Sequence, residues 1–472
     1  MRLPFALPSA APRTRGSMPP KFGTSGLRGL VADLTPSLVR AYVGAFLSTC
    51  PHGGTVLVGR DLRPSSLGIA EVVFSAVQAA DLVAVDCGEV PTPALAQAAL
   101  ARGAAAVMVT GSHIPADRNG LKFYVPSGEI SKANEARIVE AYAAGTVPNP
   151  GSGSFERDQT AGAAWCDRIV EAFGTRALAG LSIGIYRHSS VARDLLEDAL
   201  SALGARAVPL GQSEVFVPVD TEAIELSTRQ RLTAWCAEHR LDAIVSTDGD
   251  GDRPMLADSR GRIVSGDLLG VITARAVGAE RIATPISSND AVERMGLQVT
   301  RTRIGSPHVI AALEAAGGRC VGFEANGGFI MGFDGRGPEG PLPALMTRDA
   351  LLPIVASLAI PGGLQTALAA LPSRFTAARK VEEIDRPAGE ALIAELDSDA
   401  EARSIFFGAT GMIGNVDRTD GLRVVFEDGH AVHLRLSGNA PEFRVYAQAD
   451  DADTADGLAA AYTDRVALRV RR

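Results

Sequence analysis

The chain is 472 residues long, enough for roughly two to four domains of ~100–200 residues each. It is 46% hydrophobic and 21% charged, the balance of a folded chain with ample core, and its net charge of -8 lacks the basic excess of a nucleic-acid binder. No apolar run reaches the ~18 residues of a membrane span, and five cysteines without C-x-x-C spacing suggest neither a disulfide framework nor a zinc site, so no membrane partner and a cytoplasmic setting are expected.

In chain order, the first 18 residues carry a short apolar stretch broken by Pro4 and Pro8, which does not fit a secretory signal. A disordered extension over 1–19, or a start upstream of the true Met18, is expected. From Thr55 the pattern is regular. TVLVGRD (55–61) reads as a strand, 65–80 as a helix after a Ser cap, LVAVDCG (82–88) as a strand, 94–102 as a helix, and AAAVMVTGS (104–112) as a buried strand. Alternation of this kind predicts βαβ units on a mostly parallel sheet. The Pro/Gly/Ser-rich stretch PNPGSGSFERDQTAGA (148–163) reads as a linker. The alternation restarts at LSIGIYRHSS (181–190) and again after Gly266. After Pro372 short strands near 406–416, 422–426 and 431–436, with a helix near 387–396, predict a different, smaller domain. The expected fold is therefore α/β, with three related mixed α/β domains (20–150, 151–263 and 264–370) and a smaller C-terminal α+β domain (371–472).

Glycine-rich polar segments interrupt these passages beside strand ends, where α/β proteins place ligands. KFGTSGLRG (21–29) offers backbone N–H groups and Arg28 to an anion. TGSHIPADRNGLKFY (110–124) puts Ser112 and His113 just past a buried strand, with Lys122 shortly after; a serine at such an elbow is a candidate nucleophile or phosphoryl carrier. Only four of the 46 basic residues are lysines, and two of them, Lys21 and Lys122, fall in these segments. Lys can be tuned to carry protons where Arg cannot. DGDGDR (248–253) alternates Asp248, Asp250 and Asp252 with glycines. In extended backbone the three carboxylates share one side and repel unless a cation joins them, and a hard divalent ion suits oxygen ligands. Arg253 is the one compensating cation nearby in sequence. GFEANGGF (322–329) offers Glu324 and Asn326 to sugar hydroxyls, and RLSGNAPEFRVY (435–446) offers Arg435, Ser437, the Gly438-Asn439 backbone and Arg444 as a phosphate cradle. Each segment alone also reads as an ordinary turn.

Together and in this order, the five segments resemble the α-D-phosphohexomutases over nearly the whole chain, from Lys21 to about Tyr446. The resemblance implies four domains around a central cleft and interconversion of hexose 1- and 6-phosphates through a 1,6-bisphosphate intermediate, which also serves as activator. Mannose phosphates are favoured as substrates, with glucose or glucosamine phosphates as alternatives and a non-catalytic phosphosugar-binding protein as the rival of another class. It implies that Ser112 carries the phosphoryl group and that one Mg²⁺ binds Ser112, Asp248, Asp250 and Asp252. Lys122 and His113 would serve proton transfer and orientation, while Arg28 and Arg253 steady the transferring group. The Glu324–Asn326 loop would grip the sugar, and Arg435, Ser437, Gly438, Asn439 and Arg444 the phosphate that is not reacting. A monomer or homodimer without nucleic-acid partners is expected. Gly59-Arg60-Asp61-Leu62-Arg63 matches a further structural motif of the family. The chain departs from the family pattern at Gly111 and Ile114 in the serine loop, at Asn326 and Gly328 in the sugar loop, and at Asn439 and Ala440 in the phosphate loop.

Overall fold

Each of the three apolar passages builds a sheet with the same strand order in a computed structural model that describes residues 20–23, 26–148, 150–437 and 442–471. In the first, Thr55–Arg60 lies between parallel Val83–Glu89 and Ala105–Val109, and Arg118–Val125 returns antiparallel beside Ala105–Val109. In the second, Ser182–Tyr186 lies between Arg206–Leu210 and Ala243–Thr247, with Pro254–Asp258 returning. In the third, Arg281–Pro285 lies between Gln298–Thr302 and Cys320–Phe323, with Phe329–Met331 returning. The sheets are therefore mixed rather than mostly parallel. A short loop joins the last two strands of each set, too short for the crossover that a parallel neighbour needs. These joining loops are the segments beginning at Thr110, Asp248 and Glu324, so three of the candidate site segments occupy one equivalent position in three repeats of the topology.

The first sheet is extended at both edges. Gly26–Leu30 pairs with Arg118–Val125 and sets Arg28 opposite Gly120. The stretch read as a linker contributes Phe155–Arg157, which pairs parallel to Val83–Glu89 while Phe155 packs edge-on against Phe74. Ser65 does not cap the helix Ser66–Ala79 as expected; its hydroxyl instead accepts from Asn119 Nδ2 at 2.8 Å. The expected N-terminal extension lies outside the described residues.

One continuous apolar cluster runs through the first three domains, from Leu57 and Val85 through Trp165 and Ile183 to Val321 and Leu351. The C-terminal domain has its own cluster, from Val381 to Val470. Its sheet is wholly antiparallel, in the order Phe375–Val381, Phe443–Ala449, Ala431–Leu436, Leu422–Phe426, Ile413–Asp417. The expected strand near 406–416 starts only at Ile413. Ala400–Phe407 before it is helical, capped by the Asp399 carboxylate and packed through Phe407 onto Tyr462. Buried Arg374 pins the joint between the third and C-terminal domains, donating to both oxygens of Asp290 at 2.6 and 2.7 Å and to Asp450 at 2.8 Å. No single helix among the described residues is long and apolar enough to cross a membrane. Leu351–Leu358 and Gly363–Ala369 would suffice together, but they meet at 93° and the first is wholly buried.

Two buried imidazoles make the fold sensitive to acid. His188 Nε2 donates to Thr247 O at 2.8 Å and His433 Nε2 donates to Asp420 O at 2.5 Å, while the Nδ1 of each is buried without a partner. Burial outweighs these hydrogen bonds and depresses both groups from 6.5 to about 4. In the unfolded chain the same imidazoles take up protons near pH 6.5, so the unfolded state binds more protons between pH 6.5 and 4 and is favoured as the pH falls. Stability to urea should drop across that window by up to about 3 kcal/mol per imidazole. His433→Gln, which keeps a donor for Asp420 O, should lose less stability between pH 7 and 4.5 than the wild type.

Candidate active site

The Ala105–Val109 strand is buried throughout and is followed by Thr110. Two residues later Ser112 has a φ of +54°, a left-handed conformation that a residue with a Cβ adopts only when its surroundings impose it. The surroundings are visible. Thr110 Oγ1 accepts from Ser112 N at 2.7 Å and donates to Asp61 Oδ2 at 2.7 Å. Arg63, paired with Asp61 at 3.1 Å, donates to the carbonyls of Ser112, Ile114, Pro115 and Arg118 at 2.5–2.9 Å. Its guanidinium passes so close to Gly111 that a Cβ there would lie 2.6 Å from Cζ, which accounts for the glycine. Phe216 of the second domain covers the guanidinium at 3.9 Å. Asp61 and Arg63, legible in sequence only as a structural motif, are the scaffold of the serine loop.

The Asp248 loop meets this elbow. Gly249 approaches Ser112 O so closely that a Cβ would lie 2.7 Å from it, and Ser112 Oγ donates to Asp248 Oδ2 at 2.6 Å. Asp248, Asp250 and Asp252 are fully buried and each offers an oxygen within 4.8 Å of the others, the convergence expected from their spacing. Arg253 is not their main counter-charge, however, since its ion pairs to Asp248 and Asp252 are loose, at 4.0 and 3.9 Å. Lys122 Nζ bridges Asp250 and Asp252 at 2.5 and 2.6 Å, Thr92 Oγ1 donates to Asp250 at 2.6 Å, and Arg348 meets Asp252 at 2.8 Å. Burial works against ionisation of Asp250 and Asp252. Lys122 and Thr92 at the first, and Arg348 and Lys122 at the second, outweigh it and hold both below the ordinary carboxylate value. Asp248 goes the other way, raised by burial and by its two acidic neighbours.

The Oδ1 atoms of Asp250 and Asp252 are buried without a hydrogen-bond partner. Orphaned carboxylate oxygens in an all-oxygen cluster, beside a serine oxygen, fit a hard divalent cation.

This centre forms the floor of a cavity of about 590 Å³ lined by all four domains. Arg28, His113, Arg253, Glu324, Asn326, Arg435, Ser437 and Arg444 all line it, whereas Ser112, Lys122 and the three aspartates lie just beneath. His113 Nδ1 accepts from Arg253 Nη1 at 3.0 Å and stands 3.4 Å from Ser112 Oγ. Burial, then Arg253 and Arg28, push its imidazole well below 6.5, so the ring is neutral near pH 7. Burial and the neighbouring Arg253 lower Arg28 to about 10. Across the cavity, Asp420 Oδ2 accepts from Arg435 Nε at 2.9 Å and from Ile304 N at 3.0 Å, tying this arginine to the third domain. Arg444 lies beside Glu442, at 3.5 Å. Gly438 and Asn439 lie outside the described residues.

Sequence reasoning missed Arg348. It sits on the strand Leu345–Asp349 in no glycine-rich segment and gains its meaning only from tertiary contacts with Glu129 at 3.8 Å, Asp252 at 2.8 Å and Glu324 at 3.6 Å, one carboxylate from each of the first three domains. It also missed Asp420, and Asp220 and Glu222, which line the cavity.

A serine on an imposed turn, a cluster of three carboxylates that fits a cation and arginines on both sides of a polar cavity make up the equipment of a phosphoryl-transfer enzyme. Family models for phosphoglucomutase/phosphomannomutase domains I, II, III and the C-terminal domain match residues 19–148, 163–261, 265–372 and 370–465. The chain belongs to the phosphoglucomutase/phosphomannomutase family, the α-D-phosphohexomutases. It is 46% identical to a phosphomannomutase of Sinorhizobium fredii, over 94% of this chain and 98% of that protein, and 40% identical to a phosphomannomutase of Salmonella muenchen, over 92% and 93%. A family structure from Burkholderia thailandensis superposes with a TM-score of 0.74 over 94% of this chain and 96% of that one; at 22% identity it supports the fold.

If the three carboxylates form one cation site, calorimetric titration of chelator-treated protein with a divalent cation should fit a single site per chain. Asp250→Ala should weaken that binding by at least about 100-fold, measured without reference to turnover.

Proposed function

We propose that the chain interconverts mannose 1-phosphate and mannose 6-phosphate, and also accepts glucose phosphates. The observation that carries the chemistry is the fixed geometry at Ser112, whose Oγ is held 2.6 Å from Asp248 by a loop in an imposed left-handed turn. The preference for mannose rests on the two phosphomannomutase relatives at 46% and 40% identity.

Phosphoryl transfer depends on in-line positioning and charge neutralisation more than on covalent assistance. Ser112 carries the phosphoryl group. O1 of a hexose 6-phosphate attacks the phosphorus, a P–O1 bond forms as the P–Oγ bond breaks, and Lys122 Nζ, shared between Asp250 and Asp252, relays a proton so that the one lost by O1 is matched by the one gained by the released Ser112 Oγ. The bisphosphate turns over in the cavity, its O6 phosphoryl returns to Ser112 Oγ, and the product leaves as the 1-phosphate. His113, neutral and held by Arg253, orients the group beside Oγ, and Arg28 and Arg253 balance charge on the phosphoryl oxygens. Asp248, Asp250, Asp252 and an oxygen on Ser112 would hold a Mg²⁺ ion, which would supply further electrostatic stabilisation of the transferring group. Arg435, Ser437 and Arg444 hold the phosphate that is not reacting, in either orientation of the bisphosphate. Glu324 and Asn326 face the sugar. The presence of every group this chemistry needs favours an enzyme over a non-catalytic phosphosugar-binding protein.

Intact-mass measurement tests the core of this reading. Protein treated with hexose 1,6-bisphosphate should gain one phosphate, removable by hexose monophosphate and mapping to Ser112, and Ser112→Ala should lose both the label and nearly all turnover. Phosphate found on Thr110 or Ser127 of active enzyme would reject the assignment. A charge-assisted hydrogen bond is worth roughly 1.5–3 kcal/mol. Arg435→Ala should therefore lower kcat/KM by about 10–150-fold in both directions of the reaction, with added bisphosphate restoring part of the rate.

A further inference from the structure

We propose that Glu222 of the second domain is a sugar-recognition residue, its carboxylate accepting hydrogen bonds from ring hydroxyls of the hexose phosphate in the cavity. The proposal rests on the hexose-phosphate reading of that same cavity and adds a residue outside the five glycine-rich segments. Three observations carry it.

The first is placement. Thr221 Oγ1 donates to the backbone oxygen of Asn326 at 2.8 Å, which docks this part of the second domain onto the sugar loop. Asp220 and Glu222, on either side of the buried Thr221, both line the cavity. Asp220 Oδ1 accepts from Glu222 N at 3.1 Å and stiffens the turn.

The second is the supply of acceptors. Asn326, the expected sugar ligand, spends its amide within its own loop, where Oδ1 accepts from Gly328 N at 3.0 Å and Nδ2 points to Glu324 at 3.4 Å. Glu324 in turn shares Arg348 with two other carboxylates. The Glu222 carboxylate has no hydrogen bond or ion pair among the described residues. Its side chain is exposed where it opens onto the cavity, and the protein crowded around it, with Asp220 next, raises its carboxyl above the ordinary value.

The third is the order of charges. Glu222 lies within electrostatic reach of Arg253, which adjoins the serine, and of Arg444 in the C-terminal domain, with Glu324 also near. A cavity that brings Arg253 of the second domain and Arg444 of the C-terminal domain within reach of the same carboxylate suits a ligand with a phosphate at each end and hydroxyl donors in the middle. Carboxylates repel phosphate but make strong hydrogen bonds to hydroxyls.

The test compares wild type with E222A and E222Q in equilibrium binding of mannose 6-phosphate, glucose 6-phosphate and inorganic phosphate, alongside turnover. E222A should weaken both hexose phosphates by about 10-fold or more, and unequally, so that the mannose-to-glucose preference moves. Inorganic phosphate should bind within about twofold of wild type, and E222Q, which keeps an acceptor oxygen, should recover part of the loss. Parallel weakening of hexose phosphates and inorganic phosphate would make Glu222 an organiser of Arg444 and overturn the proposal, as would unchanged hexose-phosphate binding. A wild-type chain that binds hexose phosphates without turnover would defeat the mutase reading alone, with the binding ratios still deciding Glu222.

Discussion

Three fully buried carboxylates within 4.8 Å of one another are the constraint around which the molecule is assembled. Desolvating one such charge costs several kcal/mol unless it is paired and hydrogen-bonded, and the loop that carries all three provides no adequate partner of its own. Its counter-charges come from neighbouring domains, with Lys122 and the Thr92 hydroxyl from the first and Arg348 from the third. The second domain cannot bury this loop without the other two in place. The shared apolar cluster of the first three domains follows the same logic at larger scale.

Much of the site could be read from the chain because its chemistry sits in short loops with backbone demands. Ser112, the alternating aspartates and the clustered glycines are local signals, and their equivalent places after the third strand of each sheet explain why they recur at regular intervals. What could not be read is what depends on distance in sequence. Arg348 looks like any arginine at a strand end until Glu129, Asp252 and Glu324 surround it. The spacing of the aspartates predicts that they converge but not that a lysine more than a hundred residues earlier bridges two of them. The antiparallel return strands were hidden for a related reason, because their apolar runs look the same whichever way they pair. Near Phe406, where a strand is expected from the sequence, packing against Tyr462 and the Asp399 cap make a helix.

The serine loop shows how rigidity is built from unremarkable parts. Arg63 gathers four carbonyls, Asp61 balances its charge, and a glycine makes way for it. Phe216 carries that order across to the second domain. Ser112 is thus held by residues that lie outside the lining of the cavity. An oxygen fixed in this way would suit the phosphoryl exchange proposed for it.

The separate core of the C-terminal domain has a consequence for how the chain comes apart. The first three domains share side chains across their boundaries, so they are expected to unfold as a unit. The last domain keeps its apolar cluster to itself and is joined through a few polar contacts around Arg374 and Asp420. Its melting need not be that of the rest. Anything held between Arg435 and the serine loop would couple the two transitions, so a bound bisphosphate would act as a staple, merging two denaturation events into one.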